Sequence, residues 1–188
     1  MKIVIPSMEH LPGHIAALET GWSPDNVRGA VAAREALAQI APDPAGFVAR
    51  QIDREAKGGP VVLPDGSSVP RLPGLVMWLW DGEFCGIIGL RWQRGTEALP
   101  PHCLGHIGYA VVPWKRRHGY ATSALRQMLP LARVEGLRHV ELTTDPDNTG
   151  SRRVIEANGG LLFEHFTKPA QYGGTPGLRY RIPLVEPR

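Results

Sequence analysis

The 188-residue chain has only two cysteines, Cys85 and Cys103, and no C-x-x-C pair. That scarcity argues against a disulfide framework and points to a reduced, cytoplasmic protein. Its seven histidines are scattered without ligand spacing, so no metal is expected. Long hydrophobic runs are missing as well. The opening "MKIVIPSMEH" holds a short apolar run broken by Pro6, too short for a signal peptide or a membrane span, so no membrane partner is expected. A charge excess is also lacking. Lys+Arg 21 against Asp+Glu 18 leaves +3, and without clustered charge over aromatic side chains no nucleic-acid partner is expected. There are no repeats and no linker long enough to divide the chain, which reads as a single domain over 1–188.

What is present is local. In "WKRRHGYATSALRQML", Lys115, Arg116, Arg117 and His118 crowd against Gly119 where a helix begins. A helix N-terminus already exposes unpaired N–H groups and about half a positive charge, so further cations there are unfavourable unless an anion joins them. Solvated loop cations are the competing reading. Upstream, "HIGYAVVP" reads as a strand stopped by Pro113. Downstream, Ala124, Leu125, Met128, Leu129 and Ala132 recur at helical spacing, which predicts a helix over Gly119–Glu135. Strand, basic glycine loop and helix together make an anion cradle. Neither a Walker loop nor a G-x-G-x-x-G fingerprint is present.

Elsewhere, Lys2–Pro6 reads as a strand, and Leu11–Glu19, Ala30–Ile40 and Phe47–Lys57 read as helices. The stretch 57–74 breaks every regular pattern. Its Asp65-Gly66 pair allows a hairpin lid, with an irregular insertion as the alternative. "GLVMWLWDGEFCGIIGLRW" predicts two strands around Asp81-Gly82. "RHVELTTD" predicts another strand, "NTGSRRVIEANGG" a second helix, "LLFEHF" a further strand, and "YGGTPGLRYRIPL" a last strand pair with Tyr180 and Ile182 on one face.

Arg116-Arg117-His118-Gly119-Tyr120-Ala121 has the form [RQ]-x-x-G-x-[GA], and Asn148-Thr149-Gly150-Ser151 has the form N-x-x-[AS]. With the strands and helices around them, these segments resemble the GNAT family of N-acetyltransferases, in particular a little-characterised subgroup of predicted bacterial acetyltransferases. The resemblance covers roughly Leu75 to Leu184. It implies an α/β (α+β) fold: a mixed, mainly antiparallel sheet with helices on both faces and a splayed strand pair holding acyl-CoA. An N-terminal helical part, 1–57, would precede the acyl-CoA core at about 75–184.

The resemblance also implies roles. Val111 and Val112 would pair with the pantetheine arm through their backbones, Val112 N–H serving the oxyanion. The amides from Arg117 to Thr122, including His118, Gly119, Tyr120 and Ala121, would take the pyrophosphate. Arg116 or Lys115 would meet the ribose phosphate. Asn148 and Ser151 would meet the arm or hold a water, although Asn148 also suits a helix N-cap. Many relatives protonate the thiolate with a tyrosine seven residues after the asparagine, and here that position is Ile155. Tyr109, Tyr120 or a water remain for that task. His106 is the candidate base, with Glu83, Glu141 and ordered water as alternatives. Arg91, Trp92 and Arg94 lie where an acceptor carboxylate would bind, or in a solvated loop. The C-terminal stretch would complete the cleft or a homodimer surface. The implied activity is transfer of acetyl from acetyl-CoA to an amine acceptor, the alternative being a non-catalytic acyl-CoA sensor or partner-binding module.

Overall fold

The computed structural model describes residues 1–25, 27–63 and 66–184. Strand β1 (Lys2–Val4) leads into helices α1 (Leu11–Glu19) and α2 (Gly29–Ile40), close to their sequence expectations. The helix expected over Phe47–Lys57 is shorter and begins earlier. Asp43 accepts the Gly46 N–H and Pro44 occupies the first turn, so α3 runs Pro44–Ala49. Past it, the Gln51 carbonyl accepts the Val76 N–H and β2 (Ile52–Asp53) joins the sheet. The Asp53 carboxylate then takes the Lys57 and Gly58 N–H groups and closes a turn. An apolar residue such as Ile52 suits a strand edge as well as a helix stripe, which is why periodicity overran the helix.

Within 57–74, β3 (Val61–Val62) and β4 (Ser68–Val69) pair as a hairpin. Asp65 of its expected turn lies outside the described residues. Next come β5 (Gly74–Trp80) and β6 (Phe84–Arg91), the hairpin predicted around Asp81-Gly82, and then β7 (Ile107–Val111). The sheet order is β1-β5-β6-β7, with β2 on β5. Both faces of this sheet are covered. Trp78, Phe84 and Val112 pack with Leu11 and Leu18 of α1, while Leu79, Ile88 and Leu90 pack with α4 (Tyr120–Val134). Ala124, Leu125, Met128 and Ala132 of α4 are fully buried, and Leu129 is half-buried at the margin of the stripe. Leu125 and Met128 each contribute about 1.5–3 kcal/mol by burial.

A second sheet has the order β8-β10-β9, formed by β8 (His139–Thr144), β9 (Leu161–Thr167) and β10 (Pro176–Pro183). Helix α5 (Thr149–Glu156) lies in sequence between β8 and β9. The stretch read as a last strand pair is one strand, inserted between β8 and β9, with Tyr180 and Ile182 both buried. All strand pairings among the described residues are antiparallel, and helices cover both faces. No helix among the described residues is long and apolar enough to cross a membrane.

Candidate active site

The two sheets meet at β7 and β8, and they are clasped at one end only. His106 N–H donates to the Glu141 carbonyl at 2.7 Å, and Glu141 N–H donates to His106 Nδ1 at 2.9 Å. Gly105 approaches β8 so closely that a Cβ would stand 2.9 Å from the Glu141 oxygen. Beyond His106 no strand pairing joins β7 to β8 among the described residues, so the strands part along Ile107–Val111.

Ladder parity decides which backbone groups face the gap. Val112 N–H donates to the Cys85 carbonyl at 3.0 Å, and Arg91 N–H donates to the His106 carbonyl at 2.9 Å. Hydrogen-bonded pairs alternate along an antiparallel ladder, so Gly108 and Ala110 also turn toward β6, and Tyr109 and Val111 turn toward β8. This corrects one expectation. Val112 is fully buried with its N–H spent on β6, so it fits neither the pantetheine nor the oxyanion role. On the gap side the main chain of Tyr109 lies with that of Val111, whose carbonyl accepts Arg116 Nε at 3.2 Å.

Past Val112 a single 3-10 turn, Pro113–Lys115, leads into the basic loop. Arg117 and Gly119 both adopt left-handed backbones, at φ +67° and +73°. Gly119 is needed for that conformation rather than for room, since a Cβ there would meet nothing within 4 Å. The first amide bonded into α4 is Ser123, donating to the Gly119 carbonyl at 3.0 Å. The N–H groups of Arg117, His118, Gly119, Tyr120, Ala121 and Thr122 have no acceptor among the described residues. They form a row of free donors at a helix N-terminus.

The cations of the loop divide into two groups. Lys115 Nζ lies 3.1 Å from Asp81 and 3.0 Å from Glu83, both in the β5–β6 turn. Tyr120 donates its hydroxyl to Asp81 at 2.6 Å, and with Lys115 holds that carboxyl well below the usual carboxylate range. Lys115 is thus paired with two carboxylates of the protein. Arg116 and Arg117 are exposed, and Arg117 makes no ion pair or hydrogen bond among the described residues. His118 is exposed, with Nδ1 2.7 Å from the Arg116 carbonyl. Asp81 and Glu83 went unnoticed as loop organisers because their Asp-Gly context signals only a turn.

Across the gap, the Asn148 Oδ1 accepts the Ser151 N–H at 3.0 Å, so Asn148 is the N-cap of α5. The Tyr109 hydroxyl lies 2.9 Å from Ser151 Oγ and bridges β7 to α5. Burial pushes its phenol up to about 12, which keeps it protonated over the working pH range. Ile155 is fully buried in the core.

The candidate bases are already engaged. The His106 ring is fully buried, and a main-chain N–H occupies Nδ1, so in the neutral ring Nε2 carries the proton. Burial lowers its pKa to about 4. This is a clasp between strands, contrary to the expectation of a proton acceptor. Glu141 is bonded by Arg181 at 2.7 Å, and Glu83 is exposed beside Lys115. Trp92 is buried in the core and Arg94 donates to the Arg54 carbonyl, whereas Arg91 lines a cavity beside β7. No group of three potential ligands that could hold a metal ion occurs among the described residues.

A family model described as an acetyltransferase (GNAT) domain matches residues 67–160. No curated protein matches the chain. Among solved structures, the Microcin C7 self immunity acetyltransferase MccE, in complex with acetyl-CoA and AMP, has a TM-score of 0.60 at 11% identity, covering 96% of this chain and 91% of that one. The acetyl transferase from Salmonella typhimurium that modifies the N-terminal serine of 50S ribosomal subunit protein L7/L12 has a TM-score of 0.58 at 12% identity, covering 98% and 94%. A GNAT-family protein from Bordetella pertussis has a TM-score of 0.56 at 15% identity, covering 96% and 93%. These likenesses are of fold.

Proposed function

Because the chain belongs to the GNAT acetyltransferase family, we propose that it moves the acetyl group of acetyl-CoA to a primary amine by direct attack. The observation that carries this reading is the row of amides from Arg117 to Thr122 without an acceptor, continuous with a strand whose Tyr109 and Val111 backbones face the gap, where no strand among the described residues pairs with them. A pyrophosphate suits the amides, and Arg116 and Arg117 supply charge-assisted contacts to phosphate oxygens. An amide-bearing arm suits the open ladder positions.

In the reaction the amine lone pair attacks the thioester carbonyl carbon. Negative charge collects on the carbonyl oxygen, the C–S bond breaks, and the nitrogen loses a proton while the sulfur gains one. The N–H of Val111 or Tyr109 is the candidate donor to that oxygen. The Tyr109 hydroxyl, oriented by Ser151 and held protonated, is the candidate proton donor to sulfur in place of the residue that Ile155 displaces. With His106, Glu83 and Glu141 engaged, water is the base that this reading assigns.

The second reading is a non-catalytic acyl-CoA-binding module, favoured by Ile155 and by the lack of a free base. Calorimetry with CoA and thiol release from acetyl-CoA against a panel of amines separate the two. Turnover of any amine supports the transferase, and tight CoA binding with no turnover supports the module.

A further inference from the structure

A cavity of about 250 Å³ opens on the β5–β6 strands, outside the acyl-CoA loop. Val61, Leu63 and Val69 of the β3–β4 hairpin form one wall, and His102 and Tyr172 form another. Three arginines line it: Arg50, Arg71 and Arg91. Among the described residues the one carboxylate in the lining is Asp53, whose oxygens accept the Lys57 and Gly58 N–H groups and which also attracts Arg71. Arg50 has a partner at the rim, Asp43 at 3.3 Å. Arg71 donates its Nε to the Gly59 carbonyl at 2.9 Å, and its terminal amino groups make no hydrogen bond among the described residues. Arg91 makes no side-chain hydrogen bond or ion pair among the described residues, and its Nη2 would be 3.6 Å from a Cβ placed on Gly108. Its guanidinium therefore lies over β7, one residue before the Tyr109 backbone that faces the gap.

An apolar-walled cleft with three guanidinium forks and, among the described residues, a single carboxylate carries a net positive charge suited to an anion, since arginine binds carboxylate and phosphate oxygens through paired N–H groups. The cleft floor is open at Gly89, where no side chain rises, and from its margin Arg91 reaches over Gly108 of β7. We propose that this is the acceptor site, and that the acceptor is an amine bearing a carboxylate or phosphate held by Arg71 and Arg91. This rests on the transferase reading above. The anionic end would anchor the molecule while the amine reaches the β7–β8 gap, which makes charge on the acceptor the main determinant of specificity.

The test uses the full chain saturated with CoA, so that the phosphate loop is filled. Acetate and inorganic phosphate are titrated against the arginine Nε–H resonances, with acetamide as the neutral control. At least one of the anions is expected to shift the Arg71 and Arg91 signals while acetamide does not. Arg71→Gln and Arg91→Gln should each weaken that binding by about tenfold or more. In the catalytic arm, aminoethyl phosphate and β-alanine are compared with ethanolamine and β-alaninamide. The acidic amines should have the higher kcat/KM, and the two variants should erase the preference while CoA affinity stays as in the parent. If neither anion shifts these resonances, or binding survives both substitutions, the anionic acceptor is wrong. If neutral amines turn over as well as acidic ones, it is also wrong and the transferase stands. If no amine turns over, the transferase reading falls, and the resonances still report on the cleft by themselves.

Discussion

Replacing His106 with asparagine tests whether that ring is a clasp or a base. In the parent, Glu141 N–H donates to Nδ1, and the groups that act on the ring are Glu141, His139, Arg91 and the main chain of Glu97. Asparagine keeps an acceptor oxygen for that N–H and cannot titrate near neutrality. The ring's pKa falls from 6.5 free to about 4 when folded, with burial as the main cause. The unfolded ring therefore takes a proton first. The contribution to stability is complete above pH 6.5 and drains away as pH falls toward 4. Between pH 7 and pH 5 the linkage amounts to about 2 kcal/mol. His14, buried against Trp78 and lowered to about 4 by burial, adds a similar loss. Urea unfolding of parent and His106→Asn at both pH values should show the variant losing about 2 kcal/mol less on acidification. Carboxylates common to both proteins cancel in the difference. The pH profile of kcat should be the same in both. An equal acid loss in the two proteins would refute the buried neutral ring, and a pH limb that vanishes in the variant would restore His106 as the base.

Three further outcomes are expected. Gly119→Glu places bulk and charge among the free amides at a left-handed position, so calorimetry should detect no CoA binding while the circular dichroism spectrum stays native. Tyr109→Phe removes the hydroxyl that meets Ser151 and should lower kcat on the order of a hundredfold with little change in KM for acetyl-CoA, because an acid acts only in the transition state. Asn148→Ala should lose about 0.5–2 kcal/mol in thermal or urea unfolding, and Asn148→Asp should melt like the parent, since aspartate keeps the acceptor for Ser151 N–H.

Most of the fold was legible because its signals are local. The Asp81-Gly82 pair between two apolar runs specifies a hairpin whatever surrounds it, and the α4 stripe needs only its own spacing. Where the reading failed, a distant partner made the decision. The helix begun at Pro44 stops at Ala49 because Gln51 and Ile52 meet β5, which lies more than twenty residues downstream. The last segment, expected as a strand pair, is the single strand β10. Its actual partners, β8 and β9, flank it on either side.

The site shows the same division at finer grain. A motif names the residues of a loop, and the run from Arg116 to Thr122 sits where the motif puts it. A motif does not reveal the direction in which a backbone amide points. That direction depends on ladder parity, which depends on pairing with β6, and Val112, one step out of phase with Val111, turns its N–H to β6 instead of the gap. Charge followed the same rule. Three adjacent cations look equivalent in sequence, yet Asp81 and Glu83 of the hairpin turn pair with Lys115 and with neither Arg116 nor Arg117 among the described residues. The unfavourable positive charge at the start of α4 is therefore only partly offset from within the protein. What remains, two guanidinium groups and six amides unpaired among the described residues, is the ground for the proposed anion site.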